Sequence, residues 1–334
     1  LLLLNGELVV GPVEMHCRES DWHAHAHGGD PAYDPVILHV LQSDIGYRRD
    51  PDIPGVILDA ARHPVQGQFR RTGGTISVPE DLHDLRSLLH DSAWQRFFRR
   101  TARYVAAIDR TDLFCLQLFD VLGYFTNRKP MRRVARHLLA EERASTPLEL
   151  LGMVRSLAGL EPSPLFDELG TAPSLAPSVV PRSEWDLSVR PGNHPTRRLI
   201  AACVLTTRLC ESDLASATNR ALLEGAPTSH LVDLWRVHAS GETFLGDDRV
   251  SALFVNAILP RFVAEAIVAG QPNEIASLLR RYERWPGASS NRRVRKFERM
   301  YCRHLRLRGA FLQQGAIEFL ASLEYGSAED PISL

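Results

Sequence analysis

The chain has 334 residues, 44% of them hydrophobic, and a formal net charge of −1. That length predicts a sizeable core and about two domains of roughly 100–200 residues each. The near-zero charge excludes a global field that would draw the protein toward nucleic acid or a membrane surface. Cys17, Cys115, Cys203, Cys210 and Cys302 are odd in number, scattered, and contain no C-x-x-C pair. That argues against a disulfide framework or a zinc knuckle and predicts a reduced, cytoplasmic protein.

The opening "LLLLNGELVVGP" has no basic n-region and no small-residue cleavage site, so it is not a signal peptide. It has no initiator Met and reads like the interior of a strand, so an upstream segment is expected. "GELVVGPVEMH" alternates toward its end, as a strand does. "PVILHVLQ" from Pro35 and "PGVILDA" from Pro54 are short apolar runs of the buried-strand kind. Between the first two candidates lies "RESDWHAHAHGGDPAYD", where Ser20 or Asp21 could cap a short helix ended by Gly28 and Gly29. Strand, short helix and buried strand predict an α/β module over residues 1–75, with parallel pairing.

From Pro79 the apolar spacing turns to three and four, and a large all-helical domain is predicted over 79–325. "PEDLHDLRSLLHDSAWQRFFRRTARYVAAI" is its first helix. Others are predicted near 111–123, 131–140, 147–158, 195–211, 213–224, 228–239, 247–269, 272–284, 292–303 and 309–323. A Pro- and Ser-rich stretch at about 161–186 is predicted to be a loop. No uninterrupted apolar run reaches the ~18 residues of a membrane span. The nearest, from Val250 to Gly270, holds Asn256, Pro260, Arg261 and Glu265, and is predicted to be a buried core helix. The fold class expected is α+β.

Residues 14–39 concentrate metal-competent and proton-transferring groups: Glu14, His16, Asp21, His23, His25, His27, Asp30, Asp34 and His39. Glu14 and His16 are two apart on a predicted strand and share a face. Neutral imidazole and carboxylate together suit zinc, manganese or iron. On a helix, His23 and His27 share a face that Asp30 and Asp34 extend; in an extended chain His23, His25 and His27 align instead. A solvated loop and a hydrogen-bonded core histidine at position 39 are the bland alternatives. Trp22 and Tyr33 flank the cluster, as stacking platforms or as core.

Farther along, Leu278 to Arg308 carries eleven cations, among them Arg292, Arg293, Arg295 and Lys296, against Glu283 and Glu298. Such a run is either a phosphate-binding stripe or the solvated faces of two helices. "RPGNHPTRR" places Arg190, Arg197 and Arg198 near a predicted helix start at Pro195, where a phosphate could sit or where two parts of the fold dock.

At these residues the chain resembles an uncharacterised bacterial family, domain of unknown function family 2851. That family's pattern runs roughly G-D-V-E-I-H, S-D-W, H-x-H-x-x-D-x-x-Y, V-x-L-H-V. The matching residues are Gly11, Val13, Glu14, His16, Ser20, Asp21, Trp22, His25, His27, Asp30, Tyr33, Val36, Leu38, His39 and Val40. Blocks at Leu122, Arg190, Gly246 and Arg308 resemble later parts of the family, so the likeness runs along nearly the whole chain. His23 has no counterpart, and Pro12 replaces an acid.

The order of elements is also similar to a restriction-endonuclease core, incomplete here because an upstream acidic block is missing. That analogy implies a divalent metal (Mg, Mn or Zn) held by Glu14, His25, His27 and Asp30. Glu14 and His16 would be catalytic, with Asp21, Trp22, Tyr33 and His39 in support. The implied chemistry is metal-assisted phosphodiester hydrolysis, with Arg190, Arg197, Arg292, Arg293, Arg295 and Lys296 contacting nucleic acid and no membrane partner. The rival expectation is a non-enzymatic binding or scaffold protein with a structural histidine block. Convergence of the histidines on an open cleft favours the first; pairing in the interior favours the second.

Overall fold

The computed structural model describes residues 2–4, 7–9, 13–18, 20–24, 30–33, 36–43, 55–57, 82–124, 126–140, 146–172, 177–211, 213–239, 241–288, 291–301 and 306–325. The α+β class holds. Strands β1 (Leu2–Leu4) and β2 (Glu7–Val9) form an antiparallel pair. Strands β3 (Val13–Arg18), β4 (Leu38–Ser43) and β5 (Gly55–Ile57) form a parallel sheet in the order β3-β4-β5. Between β3 and β4 lie helix α1 (Ser20–Ala24) and a 3-10 turn at Pro31–Tyr33. Parallel neighbours need such a crossover, because no hairpin can join them.

The helical part begins with α2 (Leu82–Ala106), α3 (Arg110–Leu122), α4 (Arg128–Ala140), α5 (Pro147–Ala158) and the short α6 (Pro164–Glu168). It continues with α7 (Pro195–Glu211), α8 (Leu214–Leu223) and α9 (Thr228–Trp235). This part of the chain is not all-helical, contrary to the expectation from its spacing. Strands β6 (Val237–Ala239) and β7 (Glu242–Leu245) make an antiparallel hairpin where the spacing predicts a helix to residue 239. Arg236 turns extended, and Gly241, at φ +75°, takes the left-handed turn that side chains resist. Val237, Phe244 and Leu245 are buried, so the core captures the hairpin through them.

Helices α10 (Asp247–Leu253) and α11 (Leu259–Val268) are joined by a π turn, Phe254–Ile258. Pro260 has no N–H to offer the Asn256 carbonyl, which loosens the ladder there. This continuous helix is long and apolar enough, by length and composition, to cross a membrane, yet 72% of its apolar window is buried in the fold. It lies in the core, as expected. Helices α12 (Pro272–Arg284), α13 (Arg292–Tyr301) and α14 (Ala310–Tyr325) complete the described chain.

The main core runs through α2 to α12, with Phe119, Leu199, Phe254, Leu259 and Leu278 wholly enclosed. A second cluster joins α2, α13 and α14 through Leu85, Leu89, Val294, Phe297 and Phe319. Helices α2 and α14 cross closely because Gly315 has no side chain: a Cβ there would fall on the Leu89 carbonyl oxygen and lie 2.8 Å from its carbon.

Candidate functional site

The parallel register sets Glu14 level with His39 and His16 level with Leu41. Alternation puts Glu14 and His16 on one face of β3, and the pairing puts His39 on the same face of β4. His16 Nδ1 lies 2.8 Å from His39 Nε2. One ring supplies the N–H and the other the lone pair, so the proton between them is shared by one donor and one acceptor. The other edge of the His16 ring turns to Glu14, with Nε2 at 3.8 Å from Oε1. Exposure falls inward from the acid: the Glu14 side chain is 31% exposed and that of His16 only 5%.

Aromatic rings close the cluster. Helix α1 places Trp22, which is buried, with its ring centroid 4.9 Å from that of His39 and 6.1 Å from that of His16. The 3-10 turn places Tyr33 edge-on to Trp22 at 5.9 Å. That turn is closed by the Tyr33 N–H donating to the Asp30 carbonyl at 2.9 Å. Asp30 is exposed and Asp21 half-buried. His25 and His27 lie outside the described residues. Among the described residues, no group of three or more His, Cys, Asp or Glu side chains is arranged to hold a metal ion.

The Arg190–Leu199 block forms a structural corner. Its 3-10 turn, Pro191–Asn193, leads into α7 with Pro195 at the first position. The Arg197 guanidinium donates to Glu242 Oε2 at 2.6 Å and to the Thr243 carbonyl at 3.3 Å, and lies 4.7 Å from the centre of the Phe244 ring. Arg198 is buried and donates to Asn193 Oδ1 at 2.8 Å and the Phe244 carbonyl at 3.2 Å. The two arginines therefore fasten β7 to α7. Burial, with Arg249 and Arg197 close by, pushes the Arg198 pKa down to about 9. Burial, with Arg182 and Arg197 nearby, lowers that of His194. Arg190 is exposed. Sequence reasoning missed Arg249 and Tyr124, which stack at 4.2 Å.

Helix α13 sorts its charges by face. Val294, Phe297 and Glu298 are buried, and Arg293 is half-buried. Arg292, Arg295, Lys296 and Arg299 are exposed. Their spacing of i, i+3, i+4, i+7 is one continuous helix face. Asn291 starts the helix, its Oδ1 accepting from the Arg293 N–H at 2.9 Å and the Val294 N–H at 3.3 Å. Glu298, the one acid in the helix, is buried and accepts from the Leu307 N–H at 2.8 Å and from Arg306 Nη1 at 3.2 Å. Beside α13 is a cavity of about 300 Å³. Its sequence signal is slight: a glycine at position 287 and a glutamine at position 313, far apart in the chain.

No curated protein matches this chain, and no solved structure matches it. The blocks at Arg190, Gly246 and Arg308, expected to continue the family likeness, lie beyond the matched region. Residues 2–160, just under half the chain and covering the parallel sheet and the helices through α5, match the family described as Protein of unknown function (DUF2851).

Proposed function

We propose that this protein binds a nucleic-acid strand along the exposed face of α13, and that the His16–His39 hydrogen bond, with Glu14 beside it, braces the parallel sheet. The stripe of Arg292, Arg295, Lys296 and Arg299 carries the proposal. Eight helical residues advance about 10 Å, the rise of about three nucleotides of one strand. Backbone contacts of this kind position a strand without reading its sequence. The histidines support the non-catalytic assignment: His16 and His39 commit a nitrogen each to one another, under Trp22, in the interior.

The test is fluorescence anisotropy with labelled single-stranded and duplex oligonucleotides. The triple variant Arg292→Ala/Lys296→Ala/Arg299→Ala should bind more than tenfold more weakly at low salt, with unchanged circular dichroism, since all three side chains are exposed. Undiminished binding by that variant overturns the proposal.

A second reading is a metal-dependent, nuclease-like hydrolase on a restriction-endonuclease-like module. Its one favouring observation is that Glu14 is the solvent-facing member of the cluster, 3.8 Å from His16. The described donors do not by themselves make a site for a divalent metal, because no three or more His, Cys, Asp or Glu side chains among the described residues are arranged to hold one. This reading rests on His25 and His27 completing the set with Glu14 and Asp30. Metal-dependent oligonucleotide cleavage that disappears in Glu14→Ala would establish it; cleavage that survives would remove it.

A further inference from the structure

The cavity beside α13 is built, not incidental. The Gly287 N–H donates to the Arg308 carbonyl at 3.0 Å. A Cβ on Gly287 would fall on that carbonyl and stand 2.6 Å from Gln313 Nε2, so the floor admits no side chain. Gln313 ties the two walls together. Its Oε1 accepts from the Ala288 N–H at 2.9 Å, and its Nε2 donates to the Leu307 carbonyl at 2.7 Å. Asn291, the cap of α13, also lines the space, which brings the positive end of that helix against it.

The lining is cationic. Among the described residues that line it, Arg295, Arg306 and Arg308 stand against one carboxylate, Glu298, an excess of two positive charges. The volume, about 300 Å³, is at the small end of ligand sites. Arg295 belongs both to this lining and to the α13 stripe, so the two surfaces are continuous.

We propose that this cavity takes a phosphomonoester, the terminal phosphate of the strand that α13 tracks; the choice of a strand as its source rests on the nucleic-acid reading above. An internal phosphodiester carries one charge, whereas a phosphomonoester carries about −1.5 to −2 near neutral pH, which matches the excess of two. Guanidinium forks suit its oxygens, which accept paired N–H bonds.

The experiment compares one short labelled oligonucleotide with a terminal phosphate and the same strand ended by hydroxyls, with adenosine monophosphate titrated separately by calorimetry. Wild type should bind the phosphorylated strand about tenfold more tightly, the equivalent of one charge-assisted contact. Arg306→Ala/Arg308→Ala should erase that ratio and still bind the hydroxyl-ended strand; because Arg306 also pairs with the buried Glu298, Arg308→Ala alone, which leaves that pair intact, should lower the ratio with unchanged circular dichroism. The α13 triple variant should weaken both strands and keep the ratio. Equal wild-type affinity for the two strands overturns the cavity proposal and leaves the nucleic-acid reading standing. Binding of adenosine monophosphate alone, lost in the Arg306/Arg308 variant, supports a phosphomonoester site and overturns the strand as its source. Binding of none of the probes overturns both.

Discussion

Gly315→Ala pits a local gain against a tertiary loss. In a helix interior alanine is favoured over glycine by about 1 kcal/mol. Here the new Cβ would meet Leu89, lying on its carbonyl oxygen and 2.8 Å from the carbonyl carbon. Both are backbone atoms, which cannot swing aside. Relief to an ordinary carbon–carbon separation moves α14 from α2 by about 1 Å. The neighbours of Gly315 cannot accommodate that move. Arg96, buried on α2, donates to Gln314 Oε1 at 2.7 Å and to Glu318 Oε2 at 3.1 Å. An added ångström takes both beyond hydrogen-bonding range. Buried bonds to charged groups contribute about 1.5–3 kcal/mol each. Two of them lost against one propensity gain leaves a net destabilisation of about 2–5 kcal/mol. Urea unfolding of the two proteins measures it. Gly192→Ala is the control, since nothing lies within 4 Å of its Cβ and its φ is not left-handed, and it should stay within about 0.5 kcal/mol of wild type. A Gly315→Ala protein more stable than wild type by the propensity gain would refute the close crossing of α2 and α14.

Asp120, a buried acid on α3, accepts from Arg128 Nε at 3.0 Å, with Arg132 Nε at 3.3 Å. Asp120→Ala removes the buried carboxylate that both guanidiniums meet and should cost about 1.5–3 kcal/mol in urea unfolding, whereas a loss under about 1 kcal/mol would show the group is not a structural anchor. His194 has a folded pKa lowered from 6.5 by burial and by Arg182 and Arg197, so the unfolded chain binds its proton first. Its contribution is therefore present above pH 6.5 and lost as pH falls from there toward the folded value. His194→Gln should flatten the melting temperature between about pH 7.5 and pH 5, and an unchanged pH slope would contradict the assignment. Burial pushes the Cys115 thiol up to about 11 and raises that of Cys203, while Cys210 is exposed. Cys210→Ser should remove one fast-reacting thiol in a native thiol-reagent titration; Cys115→Ser should remove none.

Where the sequence marks its own boundaries, the elements were legible. Helix α5 begins at the residue expected because Thr146 and Glu149 form a capping box around Pro147, and it ends at Gly159, φ +59°. The parallel pairing of β3 and β4 was readable from a short helix between two apolar runs. Helix α9 shows the limit. Strands β6 and β7 are three and four residues long, too short for an alternation to stand out, and only burial of Phe244 and Leu245 in the wider core decides for a hairpin.

The site was legible as a list of residues and not as an arrangement. Glu14, His16 and His39 were visible as neighbours by type. Their bonding depends on the register that sets Glu14 level with His39, which no local signal specifies. The cationic run was plain, but Glu298 looked like a charge opposing it. Its partners are Leu307 and Arg306, in the segment after the helix, and they draw it inward. That inward turn leaves a stripe of one sign where the composition suggested a mixed face.

The salt dependence of single-strand binding tests the central claim most directly. Phosphate contacts release counterions, so log K falls linearly with log salt, with a slope of about −0.7 per neutralised phosphate on a single strand. Removing Arg292, Lys296 and Arg299 together should make that slope shallower by about 2, with affinity lost mainly at low salt. A slope unchanged by the triple substitution would contradict strand binding along α13.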